Sequence, residues 1–369
     1  MEAMNEILKD KVHGSIIGGA CGDALGYVVE FVGSYTAIVR RYGEGGLTEY
    51  DTNYSWLNDD GLREKALFSD DTQMTLYTIE GLLEGIDSGT PIIDAIRDAY
   101  IAWYAGQVGD AVMITYDSPL VRIDELNQRR APGNTCLSAL SELVKGSRPY
   151  NDSKGCGGIM RIAPIGLYGA AHDWSLQQIA EIAGETAELT HLHPLSTYSS
   201  AACAVIIALC AKTTVATPED FRNIIAEAID VITEIYGEES QFMSVFKRII
   251  SNAIGLASDS RADWEVIENA IGGGWVAEET LAIALFSVLR HIDDFNGCLI
   301  CAVNHGGDSD STGAVAGNIL GAILGYTAIP PKFLTRLQLK DLLLAYADKL
   351  SVRKKGSRQE GVAQLCDYG

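Results

Sequence analysis

Apolar residues recur along most of this chain at the spacing of an α-helix, and stretches that alternate apolar and polar residues are scarce. This periodicity predicts an all-α fold, with one compact multi-helix domain over residues 1–352 and a loose tail over 353–369. The polar stretches 31–67 and 106–135 are expected to be connections, with a turn at 58–61. The predicted helices lie at 7–29, 70–86, 92–105, 137–144, 175–189, 194–212, 218–236, 240–257, 277–291, 313–325 and 338–351.

Two of these helices carry a glycine at every fourth position. This spacing places all the glycines of a helix on one ridge without side chains, so another helix can pack very closely against it. A glycine inside a helix costs about 1 kcal/mol of helix stability, so such a ridge needs a compensating contact. We hypothesise that both helices lie in the centre of the fold, near each other. The glycines are Gly14, Gly18, Gly22 and Gly26 in the first helix and Gly313, Gly317, Gly321 and Gly325 in the second.

Two groups of carboxylates and hydroxyls each precede or open a predicted helix. Asp70 and Asp71 lie beside Ser69, and Asp308 and Asp310 follow two glycines among serines. Crowded carboxylates repel one another and raise each other's pKa unless a cation holds them. A set of oxygen ligands suits Mg²⁺ or Mn²⁺, and two such ions would balance four negative charges. The alternative is that these residues are helix caps, because Ser and Asp favour that position.

The positions of Asp308 and Asp310 limit where the helix that follows them can begin. Residues i and i+2 do not face each other on an ideal helix, so Asp308 and Asp310 converge only if they lie in the turn before the helix at 313–325. Asp23 and Glu30 are further candidates for the same acidic site. They lie at the end of the first glycine-lined helix, where another backbone can approach closely.

A glycine-rich stretch and a pair of histidines are weaker signals. Gly155, Gly157 and Gly158 predict a loop whose backbone amides face a ligand such as a phosphate. The spacing fits neither the P-loop nor the dinucleotide fingerprint. His191 and His193 lie in a predicted turn, where a capping role is the alternative to ligand contact, and a lone His-x-His is a poor zinc site.

Charge and cysteine content narrow the classes of partner. The formal net charge of -21 excludes sequence-independent binding to nucleic acid, and the basic run at 353–355 is interpreted as a solvated helix end. No secretory signal is convincing, and the apolar segment 314–329 falls short of the ~20 residues that span a membrane. We therefore expect a soluble cytoplasmic protein. Its eight cysteines are expected to be reduced, with zinc binding by Cys298 and Cys301 as a minor alternative.

Six motifs, taken together and in order, resemble the ADP-ribosylglycohydrolase family, whose members include dinitrogenase-reductase-activating glycohydrolases and ADP-ribosylhydrolases. The resemblance spans about residues 13 to 347, and the ordered set is far more specific than any one motif. The motifs are Gly22-Asp23-Ala24-Leu25-Gly26 with Glu30, Phe68-Ser69-Asp70-Asp71-Thr72, Pro132-Gly133-Asn134-Thr135, Gly155-Cys156-Gly157-Gly158-Ile159-Met160-Arg161, Thr190-His191 and Gly306-Gly307-Asp308-Ser309-Asp310-Ser311.

The resemblance implies an all-α fold with a central binuclear magnesium site, Mn²⁺ being the alternative ion. It implies Ser69, Asp70, Asp71, Asp308, Asp310 and Ser311 as metal ligands, with Asp310 as the bridge, and Glu30, Asp70 and Asp71 as catalytic residues. It implies substrate contacts at Asp23, Gly133, Asn134, Gly155, Cys156, Gly157, Gly158, Met160, Arg161 and His191. Relatives often have threonine at the positions of Ser69, Ser309 and Ser311, and each substitution keeps a hydroxyl.

The resemblance also implies a reaction, the hydrolysis of the bond between ADP-ribose and a modified protein side chain. The metals would hold two adjacent ribose hydroxyls while a water attacks the anomeric carbon, which gains positive charge. Arginine-linked ADP-ribose is the first expectation, and serine-linked or O-acetyl-linked ADP-ribose is the second. A protein that binds and blocks a cognate ADP-ribosyltransferase is an alternative from another class. A binuclear phosphohydrolase is a third, but it would be expected to have more histidine ligands.

Overall fold

The computed structural model describes residues 2–53, 64–110 and 116–352, and these residues form an all-α fold. Within these ranges, β-structure is limited to two isolated bridges, so helix packing alone builds the domain. The helices are α1 (Glu2–Gly26), α2 (Tyr35–Tyr42), α3 (Asp70–Ser88), α4 (Ile92–Val108), α5 (Asn134–Val144), α6 (Ala163–Ala171), α7 (Leu176–Glu188), α8 (Pro194–Lys212), α9 (Pro218–Tyr236), α10 (Gln241–Leu256), α11 (Asp263–Val266), α12 (Ala277–Arg290), α13 (Phe295–Val303), α14 (Ser309–Leu324), α15 (Pro331–Arg336) and α16 (Lys340–Ser351).

Helices α1 and α14 are antiparallel, and they pack through their glycines. A methyl group added to Gly18 would overlap the carbonyl oxygen of Gly317, and one added to Gly22 would overlap that of Gly313. Ser15 donates a hydrogen bond to the carbonyl of Asn318 at 2.8 Å, and the Asn318 amide donates to the Ser15 carbonyl at 2.8 Å. The hypothesis that the two glycine ridges face each other is therefore confirmed.

Other helices surround this central pair. Helix α14 is buried along almost its whole length, and it contacts α8, α12 and α13. Helix α1 contacts α16 and α13. The backbones of α1 and α14 approach closely, and the surrounding helices bury the other sides of this pair. This packing fixes the positions at which α1 ends and α14 begins. Both ends lie at the candidate site.

Several helix limits differ from those that the sequence predicts. Helix α14 begins at Ser309 rather than at 313, so Asp308 takes the N-cap position and Asp310 lies in the first turn. The prediction that both carboxylates precede the helix is therefore wrong. Helix α2 was predicted as a connection, and helices α6 and α13 were not predicted. The predicted turn at 58–61, the basic run at 353–355 and the predicted tail at 353–369 lie outside the described residues.

Helix α8 forms much of the core. Among the described residues it is the one helix that is long and apolar enough to cross a membrane, but 94% of its apolar window is buried inside the fold. Cys203 and Cys210 lie on it as buried free thiols. Its surroundings are those of a core helix, because α6, α7, α9 and α14 pack around it.

Candidate functional site

The acidic residues of the two sequence motifs meet where α1 ends and where α3 and α14 begin. Glu30 lies in the turn that follows α1, Asp70 and Asp71 open α3, and Asp308 and Asp310 open α14. All five side chains are buried, with exposed fractions of 2 to 6%. Residues far apart in the chain thus bring five carboxylates into one buried cluster.

The carboxylates are not used as helix caps. Ser69 is the N-cap of α3, because its hydroxyl accepts the Asp71 N–H at 3.2 Å. Asp308 occupies the N-cap position of α14, yet its side chain caps no backbone N–H. The cap interpretation therefore holds for Ser69 but leaves the carboxylates to be explained by something else.

Three of these carboxylates have the spacing of cation ligands. Glu30, Asp308 and Asp310 each place an oxygen within 4.8 Å of the other two. Glu30 Oε2, Asp308 Oδ2 and Asp71 Oδ2 are buried without a hydrogen-bond partner. Burying a charged oxygen without a partner is costly, so such atoms indicate a missing positive group.

Burial and mutual repulsion set the protonation of the cluster. Burial, followed by the charges of Asp310 and Asp308, raises the pKa of Glu30 to about 12. Burial and the charge of Asp310 also raise the pKa of Asp70, Asp71 and Asp308 well above their usual range. Without a cation, burial and repulsion therefore favour the protonated form of these groups.

The donor set fits a hard divalent cation. All the ligand atoms that these residues offer are carboxylate or hydroxyl oxygens, which suit Mg²⁺ and Mn²⁺. Among the described residues, no lysine or arginine forms an ion pair with the five carboxylates. A bound cation would supply the missing charge.

Asp23 supports this cluster from the side of α1. Its two oxygens accept the N–H groups of Ser69 at 2.7 Å and Thr72 at 3.0 Å, and the Thr72 hydroxyl at 2.5 Å. Its side chain is fully buried, and burial followed by the charge of Asp310 raises its pKa to about 7. These contacts make Asp23 a residue that positions the start of α3, and its contact with substrate stays a prediction.

The glycine-rich loop is built against His191. A methyl group on Gly157 would lie 2.7 Å from His191 Cε1, and one on Gly155 would lie 3.2 Å from His191 Nε2. His191 is buried, and its Nδ1 shares a hydrogen bond with the Thr190 hydroxyl at 2.9 Å. Burial and the nearby Arg161 lower its pKa to about 3, so the ring is neutral. His191 therefore holds the glycine loop in place from the side.

Arg161 lies beneath the same loop. Its guanidinium is buried, stacks over the ring of Tyr100 at 4.3 Å and donates to the Thr190 hydroxyl at 2.6 Å. Met160 is also buried, and Gly158 packs against the Ser196 hydroxyl. Arg161 and Met160 are both buried, and their contact with substrate stays a prediction.

The remaining predicted contacts lie at the open side of the cluster. Gly133 and Asn134 are exposed, and the Gly133 N–H lies 3.4 Å from Asp70 Oδ2. The Cys156 thiol belongs to the glycine-rich loop, and this residue is half-buried. Burial and the charges of Asp308 and Asp71 raise the pKa of this thiol well above its usual range. The α5 start and the glycine loop therefore border the carboxylates, and their contact with substrate stays a prediction.

One loop of the site was missed in the sequence. The carbonyl of Gly273 accepts the Asp308 N–H at 2.8 Å, and that of Trp275 accepts the Cys156 N–H at 3.3 Å. Glu279 holds this loop by accepting the N–H groups of Gly273 and Gly274 at 3.0 and 3.2 Å. The run of three glycines at 272–274 is a sequence signal from which such a loop could have been predicted.

Glu268 is a second missed residue, with no sequence signal of its own. One of its oxygens accepts the Gly306 N–H at 2.8 Å and the Tyr35 N–H at 2.6 Å. It therefore fixes the turn that leads to Asp308 against the start of α2.

A second group of metal-ligand types lies at the start of α11. Asp263, His291 and Cys301 have ligand atoms within 4.8 Å of one another. However, Asp263 already pairs with Arg290 at 2.7 Å and with His291 at 3.1 Å. Burial and the charge of Asp263 raise the pKa of the Cys301 thiol well above its usual range. We interpret this group as an ion-pair cluster, and Cys298 and Cys301 as buried core thiols.

Comparisons with known proteins match this architecture. A family model described as ADP-ribosylglycohydrolase matches residues 4–360. The chain is 25% identical over 345 residues to the ADP-ribosyl-(dinitrogen reductase) glycohydrolase of Rhodospirillum rubrum, covering 90% of this chain and 91% of the relative. It is 23% identical over 346 residues to an ADP-ribosylarginine hydrolase of Serratia proteamaculans, covering 92% of this chain and 79% of the relative.

A solved structure has the same fold. It is described as an ADP-ribosylglycohydrolase-related protein complex, and it superposes with a TM-score of 0.65 at 23% identity. The match covers 94% of this chain and 98% of the other. The family model spans nearly the whole chain, and the fold agrees with it. The protein therefore belongs to the ADP-ribosylglycohydrolase family and is a hydrolase of ADP-ribose glycosidic linkages.

Proposed function

We propose that this protein removes ADP-ribose from modified arginine side chains of proteins in a Mg²⁺-dependent reaction. The observation that carries the proposal is the buried cluster of five carboxylates with three unpartnered oxygens. The names of two relatives, a hydrolase of ADP-ribosylarginine and a glycohydrolase of ADP-ribosylated dinitrogen reductase, support the substrate class. The exposed residues Gly133 and Asn134 would contact the ADP-ribose part of the substrate.

The residues that would hold two Mg²⁺ ions come from the starts of two helices. Bound Mg²⁺ would neutralise the cluster and orient vicinal ribose hydroxyls. The ligand set is Ser69, Asp70, Asp71, Asp308, Asp310 and Ser311.

Glu30 is the residue proposed to act on the attacking water. It is buried at 6% exposure, its Oε2 has no partner, and it lies beside Asp308 and Asp310. In the reaction, the water oxygen bonds to the anomeric carbon and the bond from that carbon to the guanidine nitrogen breaks. Glu30 accepts a proton from the water and passes it to the leaving nitrogen, so Glu30 ends the reaction in its starting state. The remaining carboxylates favour the positive charge that develops on the ribose.

The decisive experiment uses two substrates and two conditions. Arginine-ADP-ribosylated and serine-ADP-ribosylated proteins are each incubated with the enzyme, with Mg²⁺ or with EDTA, and free ADP-ribose is measured. We expect release from the arginine linkage only, and only with Mg²⁺. Release in EDTA would contradict the metal requirement, whereas release from serine alone would contradict the linkage. O-acetyl-ADP-ribose is a third substrate in the same assay, because it tests the remaining alternative linkage.

A further inference from the structure

Two aromatic side chains, Phe31 and Trp275, form an exposed stacked pair beside the carboxylate cluster. Their ring centroids are 6.1 Å apart with an angle of 29° between the planes. Phe31 is 74% exposed and Trp275 is 46% exposed. Neighbouring aromatic surfaces left open to solvent often mark a binding surface rather than a core contact.

Each ring belongs to a segment that contacts the cluster directly. Phe31 follows Glu30 in the turn after α1. Trp275 lies in the loop whose Gly273 carbonyl accepts the Asp308 N–H at 2.8 Å. The same loop is joined to the glycine-rich loop, because the Trp275 carbonyl accepts the Cys156 N–H at 3.3 Å. The pair therefore spans the edge of the site between the segment of Glu30 and that of Asp308.

The position of the pair constrains what it would contact. The ribose reacts at the buried carboxylates, but the group that it leaves is attached to another protein and must extend towards solvent. Beside Glu30, the side chain that faces solvent is Phe31. A leaving group that passes Glu30 therefore meets the aromatic pair.

The chemistry of the pair matches an arginine leaving group. A guanidinium is planar, cationic and weakly hydrated, and it stacks on aromatic faces. The same contact occurs within this chain, where the Arg161 guanidinium lies 4.3 Å over the Tyr100 ring. The five nearby carboxylates add an attraction for a cation, whereas a serine or acetyl leaving group carries no charge for either feature to bind.

We propose that Phe31 and Trp275 bind the guanidinium of the ADP-ribosylated arginine and so select this linkage. The inference rests on the proposed function, because it assigns the leaving-group side of that same site. It makes the pair a specificity element, distinct from the residues that hold the metal or the ADP-ribose.

The test separates binding of the leaving group from binding of ADP-ribose. Steady-state kinetics on an arginine-ADP-ribosylated peptide and calorimetric titration with free ADP-ribose, both with Mg²⁺, are measured for the wild type and four variants. The variants are Phe31→Ala, Trp275→Ala, the double alanine variant, and the conservative Phe31→Tyr with Trp275→Phe. Ile7→Ala is the matched control, since Ile7 is an exposed apolar residue, 60% exposed, near the far end of α1.

We expect the double alanine variant to raise KM about ten-fold, while kcat and the affinity for ADP-ribose stay within about two-fold. The conservative variant and Ile7→Ala should keep the wild-type KM. An unchanged KM would overturn the inference, as would an equal loss of ADP-ribose affinity or a fall in kcat alone. A wild type that does not cleave the arginine linkage refutes the proposed function and this inference together. A wild type that cleaves it with unaffected pair variants refutes only the role of the pair.

Discussion

The charge of Asp310 affects the pKa of most of the other carboxylates in the site. After burial, it is the largest influence on the pKa of Glu30, Asp70, Asp71 and Asp308. A carboxylate in this position destabilises the folded chain when no cation is bound, and it becomes useful only when one is. Stability and activity should therefore respond in opposite directions when this charge is removed.

The variant Asp310→Asn tests these opposite effects on stability and activity, because it removes the charge of a single side chain. The amide keeps the shape of the side chain and can still accept the Ser311 N–H, which lies 2.9 Å from Asp310 Oδ1. In EDTA, we expect the free energy of unfolding to rise by on the order of 1 kcal/mol, because repulsion is lost. With Mg²⁺, hydrolysis should fall by at least about a hundred-fold, because the proposed bridging ligand is gone. Urea unfolding and an ADP-ribose release assay measure the two effects.

Glu234→Gln is the matched control for this variant, since it removes the same charge from an exposed position of α9. It should change neither quantity. Near-full Mg²⁺-dependent activity in Asp310→Asn, or a loss of stability in EDTA, would contradict the role given to Asp310.

The glycine loop offers a second test at the scale of one residue. Gly157→Ala would place a methyl group 2.7 Å from His191 Cε1 and 2.8 Å from Cys136 Sγ, and both neighbours are buried. Overpacking of this kind costs about 1 to 3 kcal/mol and shifts the loop. We expect a weaker affinity for ADP-ribose, measured by calorimetry, with the Mg²⁺-induced rise in melting temperature retained. Gly255→Ala is the comparison, because no atom lies within 4 Å of a methyl group added there.

Residue types in the site were more predictable than the directions in which they point. Repeated Asp and Ser residues at two helix starts predicted one shared acidic cluster, and the structure brings those side chains together. Asp23 and Arg161 belong to the same motifs, yet both turn inwards and support the loops. A sequence motif shows which residue type a position needs. It does not show whether that residue binds a ligand or forms a supporting hydrogen bond.

At the scale of the elements, the contact between α1 and α14 controls where the site forms. Gly317→Ala would push a methyl group into the carbonyl oxygen of Gly18, which is backbone and cannot rotate away. We expect a loss of about 3 kcal/mol or more of unfolding free energy. Activity of the protein that still folds should also fall, because a shift of α14 displaces Asp308 and Asp310. Urea unfolding and the release assay measure both.

Gly255→Ala is the control for this prediction. Gly255 lies in α10 with no atom within 4 Å of an added methyl group. The change should stabilise the protein by about 0.5 to 1 kcal/mol, because alanine loses less backbone freedom on folding than glycine does. Equal effects at the two positions would show that helix propensity, rather than close packing, decides the outcome.

Amphipathic elements were predictable, and elements without a polar face were not. Helices α8 and α9 begin and end at the residues that the periodicity predicts, because α9 has one buried face and α8 is a long apolar run after a proline. Helix α6 is buried at all nine positions, so it has no polar face to reveal its period. Helix α2 is short and lies within a polar stretch, where its Ser34 cap was the one available signal.

At the scale of the whole molecule, the all-α class was predictable and most helix neighbours were not. The glycine ridges are the exception, because the same four-residue spacing in two helices indicates one shared contact. Glu30, Asp70 and Asp308 lie far apart in the chain, and no local pattern specifies that their segments meet. Chemistry predicted that meeting instead, since buried carboxylates need a shared cation.

The same buried charges predict how stability of the metal-free protein depends on pH. The folded chain holds the pKa of Asp23 at about 7 and that of Glu30 at about 12, above the values of unfolded carboxyl groups. Between the unfolded and folded values, the folded state binds more protons, so stability is greatest at the acidic end and falls as pH rises. The slope is about 1.4 kcal/mol per pH unit for each extra proton bound. Urea unfolding in EDTA at about pH 5, 6.5 and 8 should show this decline.

Mg²⁺ should reverse that dependence, because a cation binds the ionised carboxylates and competes with their protons. We therefore expect the stabilisation by Mg²⁺ to be small near pH 5 and to grow towards pH 8. Asp310→Asn should show a shallower decline in EDTA and little response to Mg²⁺, whereas Glu234→Gln should follow the wild type in both. If the metal-free protein instead gained stability between pH 5 and 8, the five carboxylates would have to be ionised and paired without a cation. That result would remove the physical basis for a metal centre at the ends of α1, α3 and α14.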